Sequence, residues 1–145
     1  MKKILRYLFF AVAALMLAAC QKPDEEPLHT DNTIHEIMMY STSTPEELDG
    51  RPTPQPVSGI INQETGEIKF PVSRDYRPRK TPEGKTIVFY DFTRVKLRAS
   101  VGYDVEITPP LTGIHDISEG MDVEVLAVQT GEVKHYSIRA YFLRD

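Results

Sequence analysis

The sequence predicts an all-β fold, a two-layer antiparallel sandwich of seven to eight strands, and three observations carry that expectation. From Ile34 onward apolar residues recur with period two and form no 3.6-residue stripe of any length, the pattern of half-buried strands rather than amphipathic helices. Turn residues separate these runs at short intervals, as they do between consecutive strands of a sandwich. One run, residues 86–92 (TIVFYDF), is apolar on both sides and rich in aromatic and β-branched residues, which predicts a central strand covered on both faces.

Taken in order, IHEIMMY over residues 34–40 reads as the first strand. The following loop, residues 41–56, holds four prolines and is expected over one edge or end of the sandwich. Gly59-Ile60-Ile61 and Ile68-Lys69-Phe70 flank Gln63-Glu64-Thr65-Gly66, a hairpin with glycine where the turn needs positive φ. After the run at 86–92, Val95, Leu97, Ala99 and Val101 alternate with Lys96, Arg98 and Ser100. Tyr103, Val105 and Ile107 do the same against Asp104, Glu106 and Thr108. Thr108-Pro109-Pro110 stops that strand, since proline donates no ladder hydrogen bond. The last two strands carry Met121, Val123, Val125 and Ala127 on one face, then Tyr136, Ile138, Ala140 and Phe142, joined by a tight turn at Thr130-Gly131-Glu132.

The first 20 residues are a different object. Lys2, Lys3 and Arg6 precede an uncharged apolar core, residues 7–19 (YLFFAVAALMLAA), the layout of a secretory signal. That core is shorter than the roughly 20 residues of a spanning helix. It closes on Leu17-Ala18-Ala19-Cys20, which resembles a bacterial lipobox, cut between Ala19 and Cys20 once the cysteine carries a diacylglycerol. Cys20 is the only cysteine, so it forms no disulfide within the chain. Each buried acyl methylene contributes about 0.8 kcal/mol of membrane affinity, so two chains on one residue make a stable anchor. The boundaries that follow are a signal peptide at 1–19, a lipidated cysteine with a disordered acidic tether at 20–33, and the sandwich at 34–145.

The whole chain carries 17 Lys+Arg against 21 Asp+Glu, a net charge of −4. Removing the three cations of the leader leaves 14 against 21, or −7. An acidic body of this kind argues against nucleic acid, whose phosphates require concentrated Lys and Arg.

Gln21-Lys22-Pro23-Asp24-Glu25-Glu26 is similar to the acidic export tag of Bacteroidetes-type surface lipoproteins, which implies the outer membrane and its external face. The competing reading is a plain solvated tether, because Pro23, Pro27 and the four carboxylates from Asp24 to Asp31 bury too little surface to fold. Further on, the runs KLRASV (96–101), VEITP (105–109), HDIS (115–118), VEVLA (123–127) and TGEVKHYSI (130–138) resemble the Ig-like or cadherin-like sandwich domains of Bacteroidetes-type lipoproteins of unknown function. The resemblance covers roughly residues 59–145 and implies fold and cellular setting, with no catalytic residues attached.

His29, His35, His115 and His135 show no metal-ligand spacing, and no metal or other cofactor is expected. Asp116, Ser118, Gly120 and Asp122 have the alternate spacing with which a calcium loop begins, but Ala127 stands where the bidentate Glu belongs. Side chains bonding to nearby backbone N–H groups explain the segment better. The one concentrated basic segment is RDYRPRK, with Arg74, Tyr76, Arg77, Arg79 and Lys80. Guanidinium groups beside an aromatic ring suit carboxylate, sulfate or phosphate groups of an acidic glycan; the plainer reading is a loop that keeps a hairpin soluble. Tyr90, Tyr103 and Tyr141 are either a sugar platform or ordinary strand aromatics. No Gly-x-Ser-x-Gly, free Cys nucleophile or phosphate-cradling Gly loop occurs, so no catalytic residue is assigned and no enzyme is expected.

The functional expectation is therefore a lipid-anchored, surface-facing outer-membrane protein acting as a non-enzymatic interaction or glycan-binding module. Its partners would be the membrane through Cys20 and a glycan or an envelope or host protein. The alternative is a structural or assembly accessory subunit of an envelope protein complex, docked through an exposed strand edge.

Overall fold

The structure is a computed structural model that describes residues 3, 4, 7 and 27–144. The cleavage site at Ala19 and Cys20 and residues 21–26 lie outside the described residues. From residue 27 the chain forms eleven strands: β1 (Ile34–Tyr40), β2 (Val57–Ser58), β3 (Ile60–Asn62), β4 (Glu67–Val72), β5 (Arg79–Lys80), β6 (Thr86–Ile87), β7 (Val95–Val101), β8 (Val105–Thr108), β9 (Ile114–His115), β10 (Met121–Ala127) and β11 (Glu132–Phe142). Four of these, β2, β5, β6 and β9, are two-residue bridges; the other seven carry the architecture.

The strands make a four-stranded sheet, β2-β1-β7-β9, a five-stranded sheet, β3-β4-β11-β10-β8, and the β5-β6 ribbon. Alternation decides which side of each strand is inside. In β7, Val95 and Leu97 are buried while Lys96 and Arg98 are exposed; in β10, Val123, Val125 and Ala127 are buried while Asp122 and Glu124 are exposed. Ile37, Met39, Val95 and Leu97 of the first sheet join Ile68, Phe70, Val72, Val123, Val125, Tyr136 and Ile138 of the second in one core, so the sheets pack face to face. The approach is close beside β2: a Cβ on Gly59 would lie 2.6 Å from Ile37 Cγ2 and 3.1 Å from Ile68 Cγ2.

Two details depart from the antiparallel sandwich the sequence predicts. β4 and β11 pair in parallel, with Glu67 opposite Ser137 and Val72 opposite Phe142. Residues on both strands alternate as antiparallel strands do, because each faces the core on one side only, so periodicity does not record the direction of the partner. The second departure is at residues 86–92. Only Thr86 and Ile87 form a strand, and it pairs with β5. Beyond them Val88 N–H donates to Glu47 O (3.0 Å), Ser41 Oγ and Ser43 Oγ donate to Phe89 O (2.5 and 3.1 Å), and Thr93 N–H donates to Asp91 Oδ1 (3.0 Å). Loop residues and an Asx turn thus satisfy the backbone that a ladder would otherwise hold. Phe89 and Tyr90 are buried as a plug rather than as strand residues.

The proline-rich loop over residues 41–56 packs into the molecule, with Leu48 buried in the core. Residues 29–33, read from sequence as part of the tether, also lie against the sandwich. His29 N–H donates to Gln129 Oε1 (2.9 Å), Asn32 Nδ2 donates to Glu132 O (3.3 Å), and the His29 ring lies 5.6 Å from that of Tyr103.

Candidate functional site

The basic segment follows β4. Ser73 Oγ accepts from Asp75 N–H (3.3 Å) and opens a single 3-10 turn over Arg74–Tyr76, after which β5 and β6 form a short hairpin closed by Thr81 N–H to Lys85 O (2.7 Å). Arg74, Arg77, Arg79 and Lys80 are exposed and Tyr76 is half-buried. The Tyr76 ring packs against Phe89 (5.3 Å between centroids) and, edge-on, against Tyr90 (5.9 Å). Arg79 lies over the Phe89 ring at 5.5 Å, and Arg77 Nη2 donates to Leu143 O (2.7 Å). The cations of the sequence-predicted segment are exposed, while its tyrosine is half-buried against Phe89 and Tyr90, and the ring beneath Arg79 is that of Phe89. Arg77, held by Leu143 O, and Arg79, over the Phe89 ring, can hold an anionic group by charge-assisted hydrogen bonds.

The registers locate this segment within the molecule. β1 starts, β7 ends and β11 starts at the pole where residues 29–33 dock, since Ile34 is opposite Val101 and Glu132 opposite Ala127. β4 and β11 run together to the other pole, where Val72 meets Phe142 and Arg77 reaches Leu143. The eleven residues of β11 correspond to roughly 35 Å at about 3.4 Å per residue. The basic segment and the tether therefore leave the sandwich at opposite poles.

The remaining candidates separate. Tyr90 is buried, its hydroxyl donates to Gln55 O (2.5 Å), and burial pushes its pKa up to about 12. Tyr103 is 81% exposed on the β7–β8 turn and Tyr141 is 41% exposed near the end of β11, so the three tyrosines do not share one platform. Asp116 Oδ1 accepts from Ser118 N–H (2.9 Å) and Oγ (2.5 Å), which holds its carboxyl below the usual range and makes it the turn-former. Gly120 takes φ +92° within this turn. His35 Nε2 lies 2.5 Å from Asp31 Oδ2, and His135 Nδ1 lies 3.5 Å from Glu124 Oε1. Among the described residues no three His, Cys, Asp or Glu side chains converge as a metal site.

Two depressions lie on the outer faces of the sheets. One depression of about 390 Å³ is lined by Glu36, Met38, Tyr40 and Arg98, and another of about 650 Å³ by Thr108, Asp122, Glu124 and His135.

Sequence reasoning missed the network that holds the proline-rich loop. Arg94 pairs with Glu47 through Nη2 and with Asp91 through Nε (3.1 Å). The Arg94 hydrogen bond is the chief reason the Glu47 carboxyl lies below its ordinary range, while Asp91 is lowered first by Thr93. The Asp91–Arg94 half, at i, i+3, was open to sequence reading; the Glu47 half spans 47 positions and was not.

The sequence matches no family model and no curated protein. Among solved structures, the chain is similar to a DUF4623 family protein from Bacteroides eggerthii, with TM-score 0.50 and 13% identity over 78% of this chain. It spans 22% of that protein's length. A "putative secreted protein" from Bacteroides fragilis aligns over 81% of this chain and all of its own, with TM-score 0.48 and 14% identity. The likeness to the DUF4623 protein is one of fold: an all-β sandwich.

Proposed function

We propose that the chain is an outer-membrane lipoprotein, lipidated at Cys20, whose Ig-like sandwich faces outward as a non-enzymatic module for capturing an anionic glycan or a protein partner. The observation that carries this reading is the polarity of the domain. In an acidic protein the cations Arg74, Arg77, Arg79 and Lys80 cluster at the pole away from the tether, with Arg79 over the Phe89 ring. A lipid anchor at the near pole would leave that cluster pointing into the surroundings. Two experiments test it. External protease on intact cells should cleave the wild-type chain, beside a Cys20→Ala control; protection until the outer membrane is opened sinks the surface reading. On an array of sulfated and carboxylated glycans, Arg79→Ala with Lys80→Ala should abolish binding. Absence of wild-type binding to every glycan would sink the glycan reading.

A second reading, an assembly subunit of an envelope complex, is favoured by one observation. β8 pairs only with β10, and β7 pairs with β9 over Val95 and Lys96 alone, so among the described strands both sheets end in a partly open edge on the same side. Such edges accept an added strand. Crosslinking in native membranes should then recover a specific protein, and a partnerless monomer argues against it.

A further inference from the structure

Four large apolar side chains gather at the pole where the tether docks. Tyr103 is 81% exposed, Leu28 64%, Val128 49% and Val133 45%. They belong to segments fastened to one another: His29 N–H donates to Gln129 Oε1 (2.9 Å), Gln129 Nε2 donates to Asp104 Oδ2 (2.5 Å), and Val128 N–H donates to Asp104 O (2.9 Å). The ring of His29 lies 5.6 Å from that of Tyr103. An apolar surface held by so many polar contacts is a fixed feature of the pole.

We propose that this pole, through Leu28, Tyr103, Val128 and Val133, rests on the lipid bilayer as a second membrane contact beside the anchor. The inference builds on lipidation at Cys20. Seven residue steps separate Cys20 from Pro27, which at full extension reach about 25 Å; since the chain joins the domain at this pole, the anchored domain presents this pole to the lipid. Tyrosine suits the interfacial zone, where its ring meets acyl chains and its hydroxyl meets water. Leu and Val add apolar area. The charges name the kind of lipid. Asp31, Asp104 and Glu132 stand at this pole against His29, His35 and Lys134, so the contact fits zwitterionic headgroups better than anionic ones.

The chain contains no tryptophan, so Tyr103→Trp introduces a single reporter at an exposed position. The full lipidated chain is reconstituted into phosphatidylcholine vesicles whose acyl chains carry bromine, which quenches indole emission on contact. Emission of Tyr103→Trp should be lost relative to unbrominated vesicles, while Tyr141→Trp, at the opposite pole, keeps its emission. Equal emission of Tyr103→Trp in both vesicles overturns the proposal, as does equal quenching at both positions, which would mean that the domain lies on its side. Flotation of the same samples separates the two readings. A chain that floats without quenching at position 103 refutes the pole contact alone, and one that fails to float refutes the anchor and the contact together.

Discussion

Tyr136 joins the two sheets through its hydroxyl. The group is buried with its ring, accepts from Ile34 N–H of β1 (3.0 Å) and donates to Gln63 Oε1 (2.7 Å), while Gln63 Nε2 donates to Ile34 O (2.8 Å). Tyr136→Phe keeps the ring and leaves a buried N–H without its acceptor. The expected loss is about 1–3 kcal/mol, read as a lower urea midpoint with an unchanged slope. Tyr90 supplies a pH prediction. Its folded pKa of about 12 lies above the ordinary 10.0 because burial disfavours the phenolate. The folded state thus holds its proton more tightly than the unfolded chain, so this contribution is complete below pH 10 and is lost as pH rises through about 12. A loss of about 3 kcal/mol is expected, and Tyr90→Phe should flatten the alkaline limb of a stability–pH curve. Asp31 acts in the opposite direction: Thr33 holds its carboxyl near 2, so its contribution is present above pH 3.8 and fades as pH falls through about 2.

Elements held by local alternation were legible, and those held by distant side chains were not. β7, β10 and β11 announce themselves because each presents one face to the core and one to water. Residues 86–92 mislead because burial and strand pairing are separate conditions: Phe89 and Tyr90 meet the first, while Ser41, Ser43 and Glu47 meet the backbone's polar needs in place of a neighbouring strand. The cations of the candidate site were legible as a run, but the packing of Tyr76 depends on Phe89 and Tyr90, which lie in that misread segment. The loop over residues 41–56 depends in turn on Arg94. Arg94→Met should cost about 1 kcal/mol, and its clearer mark should be faster proteolytic nicking within residues 41–56 while β1 and β7 stay protected.

At the scale of the whole molecule, the poles differ in chemistry and the sheets differ in how they are assembled. β1 and β7 lie side by side in one sheet, whereas β11 sits between β4 and β10 in the other and supplies a ladder to each. A chain ended after residue 131 therefore loses the middle of its larger sheet together with Tyr136 and Ile138. It should show no cooperative thermal transition by circular dichroism, while the full chain melts in one. The parallel pairing of β4 with β11 also has a consequence in time. Glu67 meets Ser137 across 70 positions of chain, and contacts of such separation form late. The ribosome makes β11, at the heart of the larger sheet, after both of its neighbours β4 and β10, so the native core cannot close until residues 132–142 have emerged. Until then the chain remains threadable, the condition in which a polypeptide can pass through a narrow channel.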